Sequence, residues 1–132
     1  MTLTKEEKKD IITYRTEKAF QTFKEAADNA SLHHWSLSAN RLYYAIFYMV
    51  LAINLKNGDY TKTHTGTYNL FYKRYVASGI LSKEEGKLYR HLFSMRQSGD
   101  YDDLFDWQEE DIVPIMPEVE KLLLKMKRIV EE

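Results

Sequence analysis

Apolar residues recur along the chain with the spacing of helices almost throughout. In the N-terminal part they stand three, four and seven positions apart, at Ile12, Ala19, Phe23 and Ala26, a spacing that places them on one face of a helix. Residues 42–53, LYYAIFYMVLAI, are apolar on nearly every side, which predicts the central helix of the fold. This run is too short to span a bilayer and is rich in tyrosine, so it indicates a buried core helix.

Capping signals mark where two of the helices begin. Thr4 with Glu7, and later Ser82 with Glu85, have the capping-box spacing, in which each side chain bonds to an unpaired backbone N–H at the start of the helix. The third helix has a different signal. Tyr68, Phe71, Tyr72 and Tyr75 stand at positions i, i+3, i+4 and i+7 after the segment TKTHTG, the spacing of one helix face.

Stop signals complete the division into helices. We expect Gly58 and Gly99 to end the second and fourth helices and Gly79 to be the C′ residue of the third. Pro114 and Pro117 lie in the first turns of the last helix, so its start is kinked or later than the pattern indicates. The predicted helices are residues 4–29, residues 32–55, a segment between TKTHTG and Gly79, residues 82–97 and residues 109–130.

Five helices with short connections predict an all-α fold, an antiparallel up-and-down bundle. The length of 132 residues suits a single domain over residues 1–132. The formal net charge is −1, which disfavours a strongly basic nucleic-acid platform but is compatible with a local basic patch. The chain has no cysteine, so disulfides and cysteine-bound zinc are excluded. Because the N-terminus is polar and acidic rather than signal-like, we expect a cytoplasmic protein without a membrane segment.

One arginine of the fourth helix falls among apolar positions. On a helical wheel Leu88, Leu92 and Met95 form the centre of an apolar arc, and Arg96 lies inside that arc. A guanidinium keeps its charge when buried, so it needs a carboxylate, a phosphate or access to water. One interpretation is an ion pair between Arg96 and Asp100 that fixes the following loop. The other is that Arg96 lines a cleft or subunit interface and binds a phosphate there.

Four segments of the chain, taken in order, resemble the HEPN family: NRLYYAIFYMVLA, KTHTG, LFYKRYVASGILS and LYRHLFSMRQSGDYDD. The likeness extends from about residue 32 into the last helix. It implies a helical bundle that forms a homodimer with a shared cleft at the interface. It also implies binding of RNA or nucleotides, and in many members cleavage of RNA without a metal. Some members are the toxin of a toxin–antitoxin pair, and the resemblance then implies a minimal nucleotidyltransferase as partner, which can modify a tyrosine near the active site.

The catalytic signature of the family is an arginine followed four to six positions later by a histidine. Arg96 takes the place of that arginine, whereas Tyr101 stands where the histidine is expected and no histidine follows it. An ordinary tyrosine, with a pKa near 10, is a poorer general acid or base than histidine at neutral pH. The resemblance therefore implies a cleft lined by Arg96, Asp100 and Tyr101, in which Tyr101 hydrogen-bonds, stacks on a base or accepts a nucleotidyl group.

Two histidines from other segments are candidates to replace the missing one. His64 stands in KTHTG, near the start of the third helix, and we expect it either to cap that helix through backbone groups or to reach the cleft. His91 lies at the edge of the apolar arc beside Met95, a position typical of a packed histidine.

Polar and aromatic residues at the start of the central helix are further candidates for binding. The family places polar residues such as Asn40 and Arg41 close to the arginine of the signature, although Arg41 is equally well interpreted as the solvated end of an apolar segment. Tyr43, Tyr44 and Tyr48 are expected to be core and interface aromatics. The alternative is that these rings, Tyr44 among them, form a platform on which bases stack.

The sequence contains no convincing metal or cofactor motif. The acidic run at Asp100, Asp102, Asp103 and Asp106 lacks the spacing, glycine and terminal glutamate of an EF-hand, so we expect a solvated loop. Residues 33–34 are adjacent histidines, which point about 100° apart on a helix and do not chelate together. We therefore expect no metal and no cofactor.

Two classes of function remain open. The first is a HEPN-type dimer that binds RNA or nucleotides, or cleaves RNA by attack of a 2′-hydroxyl on the adjacent phosphate while Arg96 stabilises the developing charge. The second is a non-catalytic helical adaptor that presents to a protein partner either the aromatic third helix or the loop DYDDLFDW, in which exposed Leu104, Phe105 and Trp107 would be the main contacts. The missing histidine favours binding over turnover.

Overall fold

The computed structural model describes residues 2–101 and 106–132, and for residues 99–101 it describes the backbone alone. In these residues the chain is helical and contains no strand, which confirms the predicted all-α bundle. The helices are α1 (Lys5–Ser31), α2 (Trp35–Lys56), α3 (His64–Phe71), α4 (Lys83–Tyr101), α5 (Glu109–Ile112) and α6 (Met116–Glu131). A π-helical turn, Tyr72–Val76, continues α3, and a 3-10 turn, Val113–Ile115, joins α5 to α6.

Helix α2 is the centre of the bundle, as its apolar run predicts. It packs against α1, α3, α4 and α6, and twelve of its side chains are buried. The contact with α1 is lined by small residues, among them Ala19, Ala26 and Ala39, which are at most 1% exposed and let the two backbones approach closely. Because the two helices lie close together, the hydroxyl of Ser38 donates a 2.8 Å hydrogen bond to the carbonyl of Ala26. The bond fixes how the first two helices lie against each other.

Both predicted capping boxes are present. At α1 the Thr4 backbone donates to Glu7 at 2.9 Å and the Glu7 backbone donates to the Thr4 hydroxyl at 3.0 Å. At α4 the Ser82 backbone donates to Glu85 at 2.8 Å and the Glu85 backbone donates to the Ser82 hydroxyl at 3.1 Å. These bonds satisfy backbone donors that have no partner inside the helix.

Helix α4 is longer than the sequence predicts. We expected Gly99 to end it near residue 97, but the helix continues to Tyr101, so that prediction is wrong. A glycine costs a helix only about 1 kcal/mol relative to alanine, and no proline or capping residue follows to end it there. Arg96 therefore lies inside α4 and not at its end.

The C-terminal segment is interrupted at its prolines, as expected. Pro114 lies in the 3-10 turn and Pro117 at the start of α6. Helix α6 then buries one face against the bundle, and the Lys56 ammonium donates a 2.7 Å bond to the carbonyl of Ile129 near its end. None of the helices in residues 2–101 and 106–132 combines the length and apolarity that a membrane span needs.

Candidate functional site

Arg96 lies against two tyrosines of α2. Its guanidinium carbon is 5.9 Å from the ring centroid of Tyr43 and 5.8 Å from that of Tyr44, distances at which a cation is attracted to an aromatic ring. Arg96 is half-buried, and its neighbours Leu92, Phe93 and Met95 are buried. The predicted position inside an apolar arc is therefore confirmed. The Arg96–Asp100 ion pair lies outside the described residues, because the side chain of Asp100 is not described.

His64 is the first residue of α3, and its ring lies in the same group of aromatic side chains. Its Nδ1 is 2.6 Å from the Tyr43 hydroxyl, and its ring stacks on Phe47 with centroids 4.4 Å apart. Its centroid is also 5.9 Å from that of Tyr44. Arg96 and His64, from different helices, thus contact the same two tyrosines. We call Arg96, Tyr43, Tyr44, Phe47 and His64 the Arg96 cluster.

The segment KTHTG explains how His64 is held. The Thr63 hydroxyl accepts a 2.9 Å bond from the backbone of Gly66 and caps α3. A Cβ at Gly66 would lie 2.8 Å from that hydroxyl oxygen, so any other residue at this position would require the Thr63 side chain to shift. The capping residue is therefore Thr63, and the prediction that His64 caps the helix is wrong. Since Thr63 makes the cap, the imidazole of His64 packs into the aromatic group.

Asn40 and Arg41 extend the cluster along α2. The Arg41 guanidinium donates to the side-chain oxygen of Asn40 at 3.0 and 2.8 Å, and its carbon lies 5.2 Å from the Tyr44 centroid. It also forms a partly exposed ion pair with Glu25 at 3.4 Å. Tyr44 thus has both arginines, Arg41 and Arg96, within 6 Å of its ring. Arg41 is half-buried and is more than the solvated end of an apolar segment.

The Tyr43 hydroxyl keeps its proton over the whole neutral range. Burial raises the pKa of Tyr43 far above its ordinary value, although the positive charge of Arg96 acts in the opposite direction. The bond to His64 therefore joins a neutral phenol to an imidazole. Such a bond orients the imidazole ring and influences which of its nitrogens carries the proton.

The structure does not place every predicted residue in this cluster. The side chains of Asp100 and Tyr101, two of the three predicted catalytic residues, lie outside the described part of the chain. His91 is exposed and lines a groove between α4 and α6 with Lys87 and Glu118. The prediction of a packed His91 is wrong, because the arc edge on which it lies faces this groove. His91 lies apart from the Arg96 cluster.

Trp107 also differs from its prediction. The expectation of an exposed side chain is wrong, because Trp107 is half-buried against the core. Its indole N–H donates to the carbonyl of Met95 at 3.3 Å, and its backbone N–H donates to the Ser36 hydroxyl at 3.2 Å. Leu104 and Phe105 lie outside the described residues. Among the described residues no group of three side chains is arranged to hold a metal ion.

Sequence reasoning gave Phe47 and Phe93 no part in the site. Phe47 stacks on His64, and Phe93 lies 5.7 Å from Tyr43 and 6.4 Å from His64, measured between ring centroids. The spacing of these two phenylalanines along the sequence could have identified them. Phe47 stands four residues after Tyr43 on α2, and Phe93 stands three residues before Arg96 on α4, so each shares a helix face with a residue already singled out.

The fold and this cluster define a helical-bundle domain with a half-buried arginine held against aromatic rings of its central helix. A model of the HEPN domain matches residues 12–130. The UPF0332 protein of Thermotoga maritima is 33% identical over 129 residues, which are 96% of each chain. A protein of Methanocaldococcus jannaschii that bears the name "Putative toxin MJ0142" is 24% identical over 112 residues, 85% of this chain and 76% of its own. The chain belongs to the HEPN family.

Proposed function

We propose that this HEPN protein binds RNA or a nucleotide at the Arg96 cluster, within a cleft shared by two copies of the chain. A guanidinium suits the geometry of a phosphate, and the half-buried rings of Tyr44 and Phe47 suit the faces of bases. The single observation that carries the proposal is the position of Arg96 and His64 on the same pair of tyrosines. This arrangement combines a permanent positive charge with an imidazole, which gains and loses a proton near neutral pH in its ordinary range.

If the bound molecule is RNA, the same residues support metal-independent cleavage. The 2′-hydroxyl oxygen attacks the adjacent phosphorus and loses its proton to a base, and the bond from phosphorus to the 5′-oxygen breaks as that oxygen gains a proton. Arg96 stabilises the additional negative charge on the phosphate in the transition state. In this proposal His64 exchanges one of the two protons, in place of the histidine that the signature lacks. Tyr101 and Asp100 are proposed to complete the cleft.

The biological setting we propose is a toxin–antitoxin or defence pair. The relative from M. jannaschii carries the word toxin in its name, and its likeness to this chain supports the proposal. The partner would be a minimal nucleotidyltransferase that transfers a nucleotidyl group from a nucleoside triphosphate to the Tyr101 hydroxyl, with release of pyrophosphate and of the phenol proton. The added negative charge in the proposed cleft would oppose binding of RNA phosphates. The adaptor hypothesis loses one of its three proposed contact side chains in the loop, because Trp107 packs against the bundle; Leu104 and Phe105 lie outside the described residues.

The test is binding and cleavage of single-stranded RNA by the full chain in the presence of a chelator. Arg96→Ala should weaken binding about tenfold or more and abolish cleavage, since a charge-assisted bond to phosphate is lost. Arg96→Lys should restore binding in part, because lysine keeps the charge but loses the planar fork. Arg128→Ala, at an exposed arginine of α6, is the matched control and should behave as the wild type. RNA binding that is equal in all four proteins would refute the proposal.

The partner is tested by intact mass after co-expression with a minimal nucleotidyltransferase. A mass increase of one or more nucleotidyl groups that disappears in Tyr101→Phe would support the proposed modification. Tyr60→Phe, which changes an exposed tyrosine, is the control and should keep the increase. An unmodified protein, or an increase that persists in Tyr101→Phe, would contradict this part of the proposal.

A further inference from the structure

A lysine of α1 lies close to two tyrosine rings, one on α1 and one on α2. The Lys18 ammonium is 5.0 Å from the ring centroid of Tyr48 on α2 and 5.6 Å from that of Tyr14 on α1. Tyr14 is 61% exposed, enough to offer a ring face to a ligand, and Lys18 and Tyr48 are half-buried. We call Tyr14, Lys18 and Tyr48 the Lys18 strip.

The Lys18 strip continues from the Arg96 cluster. The Tyr48 centroid lies 5.8 Å from that of Tyr44, the ring that both Arg41 and Arg96 contact. One helical turn separates Tyr44 from Tyr48, about 6 Å along α2. A continuous series of cations and rings therefore extends from the two arginines through two tyrosines of α2 to the lysine and tyrosine of α1.

We infer that the Lys18 strip binds single-stranded RNA outside the Arg96 cluster and determines the length of strand that the protein recognises. The inference rests on the proposed function, because the strip would bind the nucleotides that flank the phosphate at Arg96. Aromatic rings that stack on successive bases, set among cations that track the backbone, are how proteins bind single strands without reading sequence. A duplex keeps its base faces inside the helix, so it cannot use the tyrosines in this way.

Charge along the strip fits this occupant. Lys18 in the strip and Arg41 beside Tyr44 each lie on a tyrosine ring, where each would pair with a phosphate of a strand whose bases stack beside it. A carboxylate lies close, since Glu25 pairs with Arg41 at 3.4 Å, but both partners are partly exposed, and exposed ion pairs contribute little. A phosphate can therefore replace Glu25 as the partner of Arg41.

Another cation–ring pair offers a competing path for the strand. Arg90 of α4 lies 5.6 Å from the Tyr68 centroid, and the Tyr68 centroid lies 6.2 Å from that of Phe93, which neighbours Tyr43 of the Arg96 cluster. The Arg90–Tyr68 pair is the most useful comparison for the Lys18 strip, because it also combines a cation with an aromatic ring but involves other helices. If the strand leaves the cluster toward α4, its affinity would depend on Arg90 and would not change when Lys18 is substituted.

The experiment measures affinity of the full chain for single-stranded oligoribonucleotides of about four and about sixteen nucleotides, which bracket the site sizes of single-strand-binding folds. Lys18→Glu and Tyr14→Ala should each weaken binding of the long strand about tenfold, the effect of one stacked base or one phosphate contact, and leave the short strand unchanged. Arg96→Ala should weaken both lengths. Lys24→Glu and Tyr60→Ala, at exposed positions, are the matched controls and should match the wild type.

The outcomes separate this inference from the proposed function. If the wild type binds RNA through Arg96 while the two strip variants bind both lengths normally, the strip is refuted and the proposed function stands. If Arg90→Glu, and not Lys18→Glu, weakens the long strand, the strand leaves toward α4 and the inference is overturned. It is also overturned if a duplex of the same length binds as tightly as the single strand.

A changed oligomeric state in Lys18→Glu or Tyr14→Ala, measured by light scattering, would overturn the inference as well, because it would make the strip an interface between copies. Failure of all RNA to bind would refute this inference together with the RNA-binding form of the proposed function.

Discussion

The Tyr43 hydroxyl lies 2.6 Å from Nδ1 of His64, and this bond joins the central helix α2 to the first residue of α3. Tyr43 is fully buried, so the bond anchors the imidazole from inside the bundle. Arg96 packs on the same tyrosine ring. The position of His64 relative to Arg96 therefore depends on the core of the protein and not on a surface loop alone.

Removing this one hydroxyl should weaken the fold. Tyr43→Phe keeps the ring but leaves the nitrogen of His64 without the phenol, and we expect the free energy of unfolding to fall by about 1 kcal/mol. Urea unfolding measures the change. The affinity for RNA should fall as well, because the imidazole loses the bond that orients it. Unchanged stability and unchanged affinity in Tyr43→Phe would show that the bond does not hold the site.

A second buried tyrosine should respond in the opposite way. The Tyr89 hydroxyl has no hydrogen-bond partner in the part of the chain that the structure describes, and the side chain is 2% exposed. Burial of an unbonded hydroxyl costs free energy, so Tyr89→Phe should leave the stability unchanged or raise it by about 1 kcal/mol. Urea unfolding of Tyr89→Phe and Tyr43→Phe under the same conditions measures both changes in the free energy of unfolding. Clear destabilisation by Tyr89→Phe would mean that the hydroxyl has a partner, such as an ordered water.

Alkaline pH should unfold the protein through its buried tyrosines. Burial raises the pKa of Tyr43, Tyr68 and Tyr89, whereas tyrosines of the unfolded chain ionise near pH 10. A raised pKa in the folded state gives stability that is complete below the unfolded pKa and is lost as the pH rises toward the folded value. We therefore expect the free energy of unfolding to decline above about pH 10.

Phenolate absorbance followed together with helical circular dichroism measures this effect. The exposed tyrosines should ionise first, and the buried ones only as the helical signal is lost. Tyr43→Phe should make the alkaline decline shallower, because it removes one of the three shifted groups. Ionisation of all tyrosines near pH 10 in a protein that stays folded would contradict the prediction.

The helices were predictable from the sequence because their signals are local. The capping boxes at Thr4 and Ser82 involve residues three positions apart, and the apolar run of α2 is continuous. The end of α4 was not predictable in this way. A single glycine at position 99 is a weak signal, and the helix passes through it.

The candidate site was predictable only in part, because it forms between residues distant in the chain. The helical wheel identifies Arg96 as unusual, and the resemblance points to His64 and Arg41. The wheel cannot show that Tyr43 reaches His64, which stands twenty-one positions later. It also failed for His91, because an edge position of an apolar arc is buried only if a neighbouring helix covers it.

The glycine of KTHTG should resist replacement even though it lies within a helix. Alanine normally favours a helix over glycine by about 1 kcal/mol. At position 66, however, a Cβ would lie 2.8 Å from the Thr63 hydroxyl that caps α3. We expect Gly66→Ala to be destabilising by about 1 kcal/mol, the usual value of a lost cap. In the double variant with Thr63→Ala the added cost of Gly66→Ala should disappear. Stabilisation by Gly66→Ala alone would show that the cap yields easily.

Helices α1 and α2 end in the same motif with different residues, and this pair gives the last prediction. The N–H of His34 bonds to the carbonyl of Asn29 at 2.8 Å, and that of Asp59 bonds to the carbonyl of Asn54 at 2.9 Å, the long bond of a Schellman ending. The residue before each donor is left-handed, with φ of 61° at His33 and 85° at Gly58. Side chains disfavour this conformation by about 1 kcal/mol.

Replacing Gly58 by alanine and replacing His33 by glycine should therefore change the stability in opposite directions. Gly58→Ala should lower the free energy of unfolding by about 1 kcal/mol, and because a Cβ there has nothing within 4 Å, the cost comes from the backbone alone. His33→Gly should raise it by less, since the variant gains the backbone preference but loses the stacking of His33 on Trp35, whose ring centroids are 5.4 Å apart. Urea unfolding of both variants measures the two changes in the free energy of unfolding. Destabilisation by His33→Gly would mean that the stacking on Trp35 outweighs the backbone strain.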